Sequence, residues 1–197
     1  MSTTTRGRPR SFDRDAALEK AMRLFWERGY EATSIGDLTA AMGIGAPSLY
    51  AAFGDKKTLF AEVVATFGAR YGGFVTRALA EEGTADAAVR RILREAAVEY
   101  TRPACPHGCL VISAGVNTTS AEIADFLRDM RNRNIDAFAA RIQADIDAGV
   151  LSPNLDARTL ARYVGTVMQG MSQAARDGAS RAELERVAEL ALRGWEP

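Results

Sequence analysis

The residues best suited to reactive chemistry lie in one bend, Cys105-Pro106-His107-Gly108-Cys109-Leu110, which holds both cysteines and the single histidine of a 197-residue chain. A thiol becomes a nucleophile or redox centre when its thiolate is stabilised, and a helix N-terminus does this through its dipole. Pro106 favours a helix start, which places Cys109 in the first turn of a short helix with His107 at hand to assist when protonated. Cys109, with Cys105 as companion, is therefore a candidate redox or electrophile sensor. The alternative is a small buried thiol packed at a tight helix junction. A thiol enzyme using Cys109 and His107 is a further reading, but no third orienting group or oxyanion element accompanies the pair. Cysteine, histidine and cysteine on one short bend are weak evidence for a metal site, and neither a metal nor a cofactor is expected.

Charge points to a second kind of chemistry. The formal net charge is zero, which argues against an architectural DNA-binding protein that coats nucleic acid through bulk charge. The distribution is uneven, however. Arg6, Arg8 and Arg10 precede the first acidic residue, Asp13, and all three lysines, Lys20, Lys56 and Lys57, fall near the N-terminal end. Such a bias suits local contact with phosphates. The segment Met1–Arg10 is polar and basic, without the apolar run of a signal peptide. No apolar stretch is long enough for a membrane span, and two cysteines are too few for a secreted disulfide scaffold. A cytoplasmic protein with no membrane partner is expected.

The elements that must position these groups read as helices throughout. Apolar residues recur at helical spacing, and there is little strand signal. Asp13 and Gly29 bracket a first helix whose apolar face includes Ala17, Ala21, Leu24 and Phe25. A short second helix runs over Ser34–Met42, with Thr33 or Ser34 as its cap and Gly43 as its stop. A third covers Ala46–Phe53, with Pro47 tolerated in its first turn. Asp55 caps a fourth that continues to about Leu79. Further helices are predicted near Ala85–Tyr100, Cys109–Ala114, Ser120–Ala148, Asp156–Arg176 and Arg181–Leu192, about nine in all.

Two short helices joined by the tight turn Gly43-Ile44-Gly45 have the size of a helix-turn-helix, in which the first helix crosses the phosphate backbone and the second enters the major groove. Ile35, Leu38, Met42, Ile44, Leu49 and Phe53 are spaced to form a small core with the first helix. Helices this short need such contacts, because they are marginal alone.

The run from Thr33 to Leu59 strongly resembles the reading head of the TetR family of regulators. Leu49-Tyr50, Phe53, Lys56 and Leu59 stand at that family's signature spacing, and Ala16–Phe25 with Gly29-Tyr30-Glu31-Ala32-Thr33 resembles its first helix and the corner that follows. The resemblance implies that Thr33, Tyr50 and Lys56 contact DNA phosphates, with Ser34 nearby. It also implies that Ala46, Pro47, Ser48 and Ala51 lie on or near the exposed face of the recognition helix. Gly45, Pro47 and Ala52 depart from the serine, glycine and histidine frequent in the family. Those changes remove polar groups from the helix and suggest methyl contacts and shape readout. Arg6-Gly7-Arg8-Pro9-Arg10 resembles the core of an AT-hook, which lays arginines in a narrow minor groove.

The resemblance also implies a body that binds a small molecule among its middle helices and dimerises through its last two. Ala161, Val164, Gly165 and Met168 on one helix, and Leu184, Val187 and Leu190 on the next, supply a four-helix interface. Phe67, Tyr71, Phe74, Tyr100, Phe126, Met130 and Met168 are the pocket candidates, since aromatic and methionine side chains line adaptable apolar sites. The Cys105…Gly108-Cys109 element resembles one found in a subset of the family, some of which respond to electrophiles or oxidants. The expectation is an all-α chain in three parts: a basic arm at 1–10, a helix-turn-helix domain at 11–57, and an effector-binding and dimerising domain at 58–197. Its function would be that of a repressor, binding a pseudo-palindromic double-stranded operator as a homodimer and released by a small-molecule effector or by thiol modification.

Overall fold

The computed structural model describes residues 12–195. The arginines of the basic arm, Arg6, Arg8 and Arg10, lie outside the described residues. The chain is all-α, with ten α-helices among the described residues rather than the nine expected. These are α1 (Arg14–Arg28), α2 (Ile35–Met42), α3 (Ala46–Phe53), α4 (Lys56–Phe67), α5 (Phe74–Glu81), α6 (Ala85–Tyr100), α7 (Leu110–Ser113), α8 (Ala121–Asp147), α9 (Ala157–Arg176) and α10 (Arg181–Arg193). The extra helix arises because the predicted fourth helix is interrupted. A π-helical turn at Gly68–Gly72 separates α4 from α5. Gly68, Gly72 and Gly73 fall within six residues of one another, and glycine is the weakest helix former after proline.

Local chemistry sets most boundaries. The Asp13 carboxylate accepts from the amides of Asp15 and Ala16 at the start of α1. Ser34 and Asp37 form a reciprocal capping box at α2, as Ser180 and Glu183 do at α10. Gly43 ends α2 in the left-handed region, at φ 73°. One cap comes from far away: buried Asp145 on α8 accepts from the Ala85 amide at 2.5 Å, at the start of α6.

Two apolar cores result. The first joins α1–α4 and continues into the body through Leu110, Ala114, Ile123 and Leu127. The second lies among α5, α6, the later part of α8, α9 and α10, closed by Trp195. The reading head therefore packs directly on α7 and the start of α8.

Candidate functional site

In the head, Leu38, Met42, Leu49 and Phe53 are buried against Ala17, Ala21 and Phe25 of α1. This packing fixes the rotation of α3 and turns Pro47, Ser48, Tyr50 and Ala51 outward, with Ala46 half-buried at the edge. Tyr50 is a large side chain that remains 51% exposed. Gly45 caps α3 without a side-chain hydrogen bond; Pro47 carries no amide proton, and the amides of Ser48 and Leu49 donate to the Gly45 carbonyl at 3.0 and 3.1 Å. Ser34 is exposed, but its hydroxyl is engaged in the capping box.

Two expected phosphate contacts sit differently from expectation. Thr33 is fully buried, and its hydroxyl donates to the Gly29 carbonyl at 2.7 Å, bracing the corner between α1 and α2. A buried hydroxyl already spent on a backbone carbonyl has no surface to offer a phosphate. Lys56 is half-buried with its ammonium 4.3 Å from the centre of the Tyr30 ring. Partial burial pulls its pKa down against an opposing pull from Glu31. Tyr30, which sequence reasoning did not single out as a site residue, is thus the platform that aims Lys56. The Tyr30 ring in turn stacks on Phe25 and lies edge-on to Phe60. Lys57 is committed elsewhere, to an ion pair with Glu122 on α8.

The head is tied to the body at several points. Trp26 Nε1 donates to the Gly108 carbonyl at 3.1 Å. Arg176, at the end of α9, donates to the carbonyls of Trp26 and Glu27 at 3.0 and 3.1 Å, satisfying the open C-terminal end of α1. Glu31 accepts from the hydroxyls of Thr119 and Thr118 at 2.7 and 2.9 Å, and these bonds hold its carboxyl below the usual range.

Those ties lead to a cavity of about 320 Å³ in the body. Five of the seven pocket candidates line it: Phe67, Phe74, Tyr100, Met130 and Met168. Tyr71 borders a separate void of only about 20 Å³ beside Trp26. Phe126 packs against the core of the head instead. The wall also contains Arg131, Asn134 and Gln169, which sequence reasoning missed. A signal existed for Arg131. It falls in the register of the apolar stripe Leu127, Ile135 and Phe138, where a charge is out of place.

Cys109 lines the same cavity, but there the expected thiolate stabilisation is outweighed by burial. Cys109 is the cap of α7, not a residue of its first turn, because the chain from Thr101 to Gly108 is an irregular loop and Pro106 starts no helix. Burial pushes its thiol pKa up, outweighing the amides of Ile112 and Val111 and the charge of Arg131. His107 Nδ1 lies 3.2 Å from the Ala175 carbonyl, where it donates. Cys105 packs against the head core beside Tyr71. Alkylation of Cys109 by iodoacetamide is accordingly expected to be slow at neutral pH, with its rate–pH profile displaced above that of an ordinary thiol. Peptide mass mapping against pH checks this. A profile at or below the ordinary thiol range would show that the cavity is wetter or more positive than its walls suggest.

The expected dimer residues divide. Ala161, Val164, Gly165, Met168 and Leu184 are buried within the protomer, facing α6 and α8. At Gly165 the α8 helix comes so close that a Cβ would meet Ile135 Cδ1 at 2.3 Å. Those five serve the internal core. Val187 and Leu190 on α10 remain 44% and 61% exposed, and the Cβ position of Gly170 on α9 has no neighbour within 4 Å among the described residues.

Comparison with known proteins gives a consistent picture. Residues 17–63 match the model for bacterial regulatory proteins of the tetR family, and residues 87–191 match the tetracyclin repressor-like C-terminal domain. The HTH-type transcriptional repressor ComR of Escherichia coli K12 is 38% identical, over 97% of this chain and 92% of its own length. The HTH-type transcriptional repressor BdcR of the same strain is 29% identical, over 94% of this chain and 90% of its own. Among solved structures, a cysteine mutant of the TetR family transcriptional regulator CifR, complexed with 26 bp double-strand operator DNA, superposes with a TM-score of 0.89. It is 41% identical and is covered over its full length by 96% of this chain.

Proposed function

The chain belongs to the TetR family of transcriptional regulators, and from that premise we propose that it acts as a homodimeric repressor whose operator affinity is set by occupancy of the body cavity. The observation that carries the reading is the outward face of α3. Its inner residues Leu49 and Phe53 are buried, while Pro47, Ser48, Tyr50 and Ala51 stand free on a rigid, well-packed helix. That arrangement suits insertion of α3 into a major groove, with Tyr50 and Lys56 at flanking phosphates and Pro47 and Ala51 offering apolar contacts to base methyl groups. The division of the chain into arm, reading head and body at residues 10 and 57 is part of this reading. The second boundary is a change of role, since the head core continues into α7 and α8.

The exposed apolar patch of Val187 and Leu190 is the proposed dimer seam. A two-fold pairing of α9 and α10 would set two α3 helices against half-sites about 34 Å apart on a pseudo-palindromic operator. A ligand in the cavity, or modification of Cys109 in its wall, acts by stabilising a body conformation in which the heads no longer match that spacing. The bonds from Gly108 to Trp26 and from Arg176 to the end of α1 are the physical connection. ComR and BdcR are described as repressors, which favours repression here.

The test is binding of the purified protein to DNA flanking its own gene, with and without oxidant and reductant. Specific, competitor-resistant binding supports the reading, and its absence there and on a selected random-sequence library would overturn it. Tyr50→Ala is expected to weaken operator binding about tenfold, the worth of one lost hydrogen bond to a charged phosphate, with an unchanged circular dichroism spectrum. Lys56→Met should reduce the dependence of log affinity on log salt by about one.

A further inference from the structure

We propose that the cavity takes an amphipathic anion: an apolar chain or ring whose carboxylate, or a comparable acidic head, pairs with Arg131. This rests on the reading of the cavity as the effector site and narrows its ligand to one chemical class.

The apolar part of the argument is the wall formed by Phe67, Phe74, Tyr100, Ile135, Phe138 and Met168. The volume of about 320 Å³ lies within the range of small-molecule sites. The polar part is Arg131. Its half-buried guanidinium donates once, from Nη1 to the Val111 carbonyl at 2.9 Å. No carboxylate pairs with it among the described residues, although eleven of the nineteen described arginines are paired with aspartate or glutamate. The residues lining the cavity include Arg133, Asn134 and Gln169 and no aspartate or glutamate. The cavity thus combines an oily interior with a net positive wall.

Placing a cation in such a wall without a counter-charge is unfavourable, because part of its hydration is lost. Arginine retains its proton in this setting, so the cost is not relieved by neutralisation. The guanidinium keeps unused N–H donors in the planar fork that matches a carboxylate. Cys109 does not supply the missing anion, since burial favours its neutral thiol. An acidic ligand would supply it, while its apolar part fills the space between α6, α8 and α9.

The test uses the full-length protein and matched probes: octanoate against 1-octanol and octylammonium, and 4-phenylbutyrate against 4-phenylbutanol, by titration calorimetry. Each carboxylate is expected to bind about tenfold more tightly than its alcohol, with the ammonium weakest. Arg131→Gln should bring the carboxylate-to-alcohol ratio close to one, and Arg131→Lys should keep most of the preference. Gln169→Glu changes an exposed wall residue without touching Arg131. It should lower carboxylate affinity about fivefold and leave the alcohols unaffected, so the proposal remains testable if the Arg131 variants fold poorly. Failure of both carboxylates to bind, or a preference unchanged by both Arg131→Gln and Gln169→Glu, would overturn it. Operator release is read separately. Carboxylate binding with this charge preference but no effect on the operator complex would uphold the anion site and defeat the effector reading.

Discussion

Gly108→Ala is expected to destabilise the protein by about 2–4 kcal/mol, the sum of a backbone strain and a steric cost that arise from different causes. Gly108 adopts φ +78°, where an L side chain carries an intrinsic penalty. A Cβ there would also stand 2.7 Å from the Ser172 carbonyl oxygen and 2.9 Å from Arg176 Cγ. The first neighbour is helix backbone in α9 and cannot move aside. The loop itself is pinned on both sides: the Gly108 amide donates to the Tyr100 carbonyl at 2.8 Å, and its carbonyl accepts from Trp26. Gly43→Ala provides the control. Gly43 has a similar φ of +73° but nothing within 4 Å of its Cβ position among the described residues, so it should lose only the strain, about 1–2 kcal/mol. Urea unfolding of both variants at one protein concentration checks this. Equal losses would mean that the loop yields around residue 108 and that its contact with α9 is soft. The larger loss at Gly108 would identify the junction of loop, α9 and α1 as rigid, as transmission from cavity to head requires.

The paired change Val187→Glu with Leu190→Glu is expected to leave the protomer folded, to convert it to a monomer, and to reduce operator affinity about a hundredfold or more. Both side chains are largely exposed in the protomer, and surface changes of that kind alter folding stability by about 0.5 kcal/mol or less. In the proposed two-fold seam the same residues meet their own copies, so four carboxylates would be driven into one apolar contact. Loss of the dimer removes the effective concentration that one bound head confers on the other, which accounts for the size of the affinity loss. Sedimentation velocity and a fluorescence binding titration measure the two effects. Leu184→Ala makes the contrast. That side chain is 1% exposed in the internal core, and its truncation should cost about 2–4 kcal/mol of stability. A variant that stays dimeric with both glutamates in place would move the seam away from α10.

What sequence alone determined here is local. Asp13 and Asp55 cap the helices that follow, as their spacing indicates, and of the two candidates at the start of α2, Thr33 and Ser34, the cap is Ser34. A capping oxygen needs only an amide two or three residues away, so the signal is complete within one turn. The stops at Gly29 and Gly43 were legible for the same reason. The signature from Leu49 to Leu59 was legible because α3 and the start of α4 form one contiguous unit around one small core.

Tertiary structure decided everything that depends on which surface covers a given face. Helical periodicity shows that α9 and α10 have apolar residues, but not whether the partner is α6, α8 or a second copy of the chain. Ala161, Val164 and Leu184 went inward, while Val187 and Leu190 stayed out. Thr33 resembles a phosphate-contacting residue in sequence and becomes a buried brace only when Gly29 is folded against it. Cys109 has the composition of a reactive thiol, yet its proton affinity is set by walls drawn from helices far along the chain. Arg131 acquires its meaning the same way, since an arginine on a long helix is unremarkable until a cavity without carboxylates closes around it. Caps and turns are contacts between near neighbours, and sequence displays them. Burial, charge environment and cavity shape are sums over distant segments, and only the packed chain determines them.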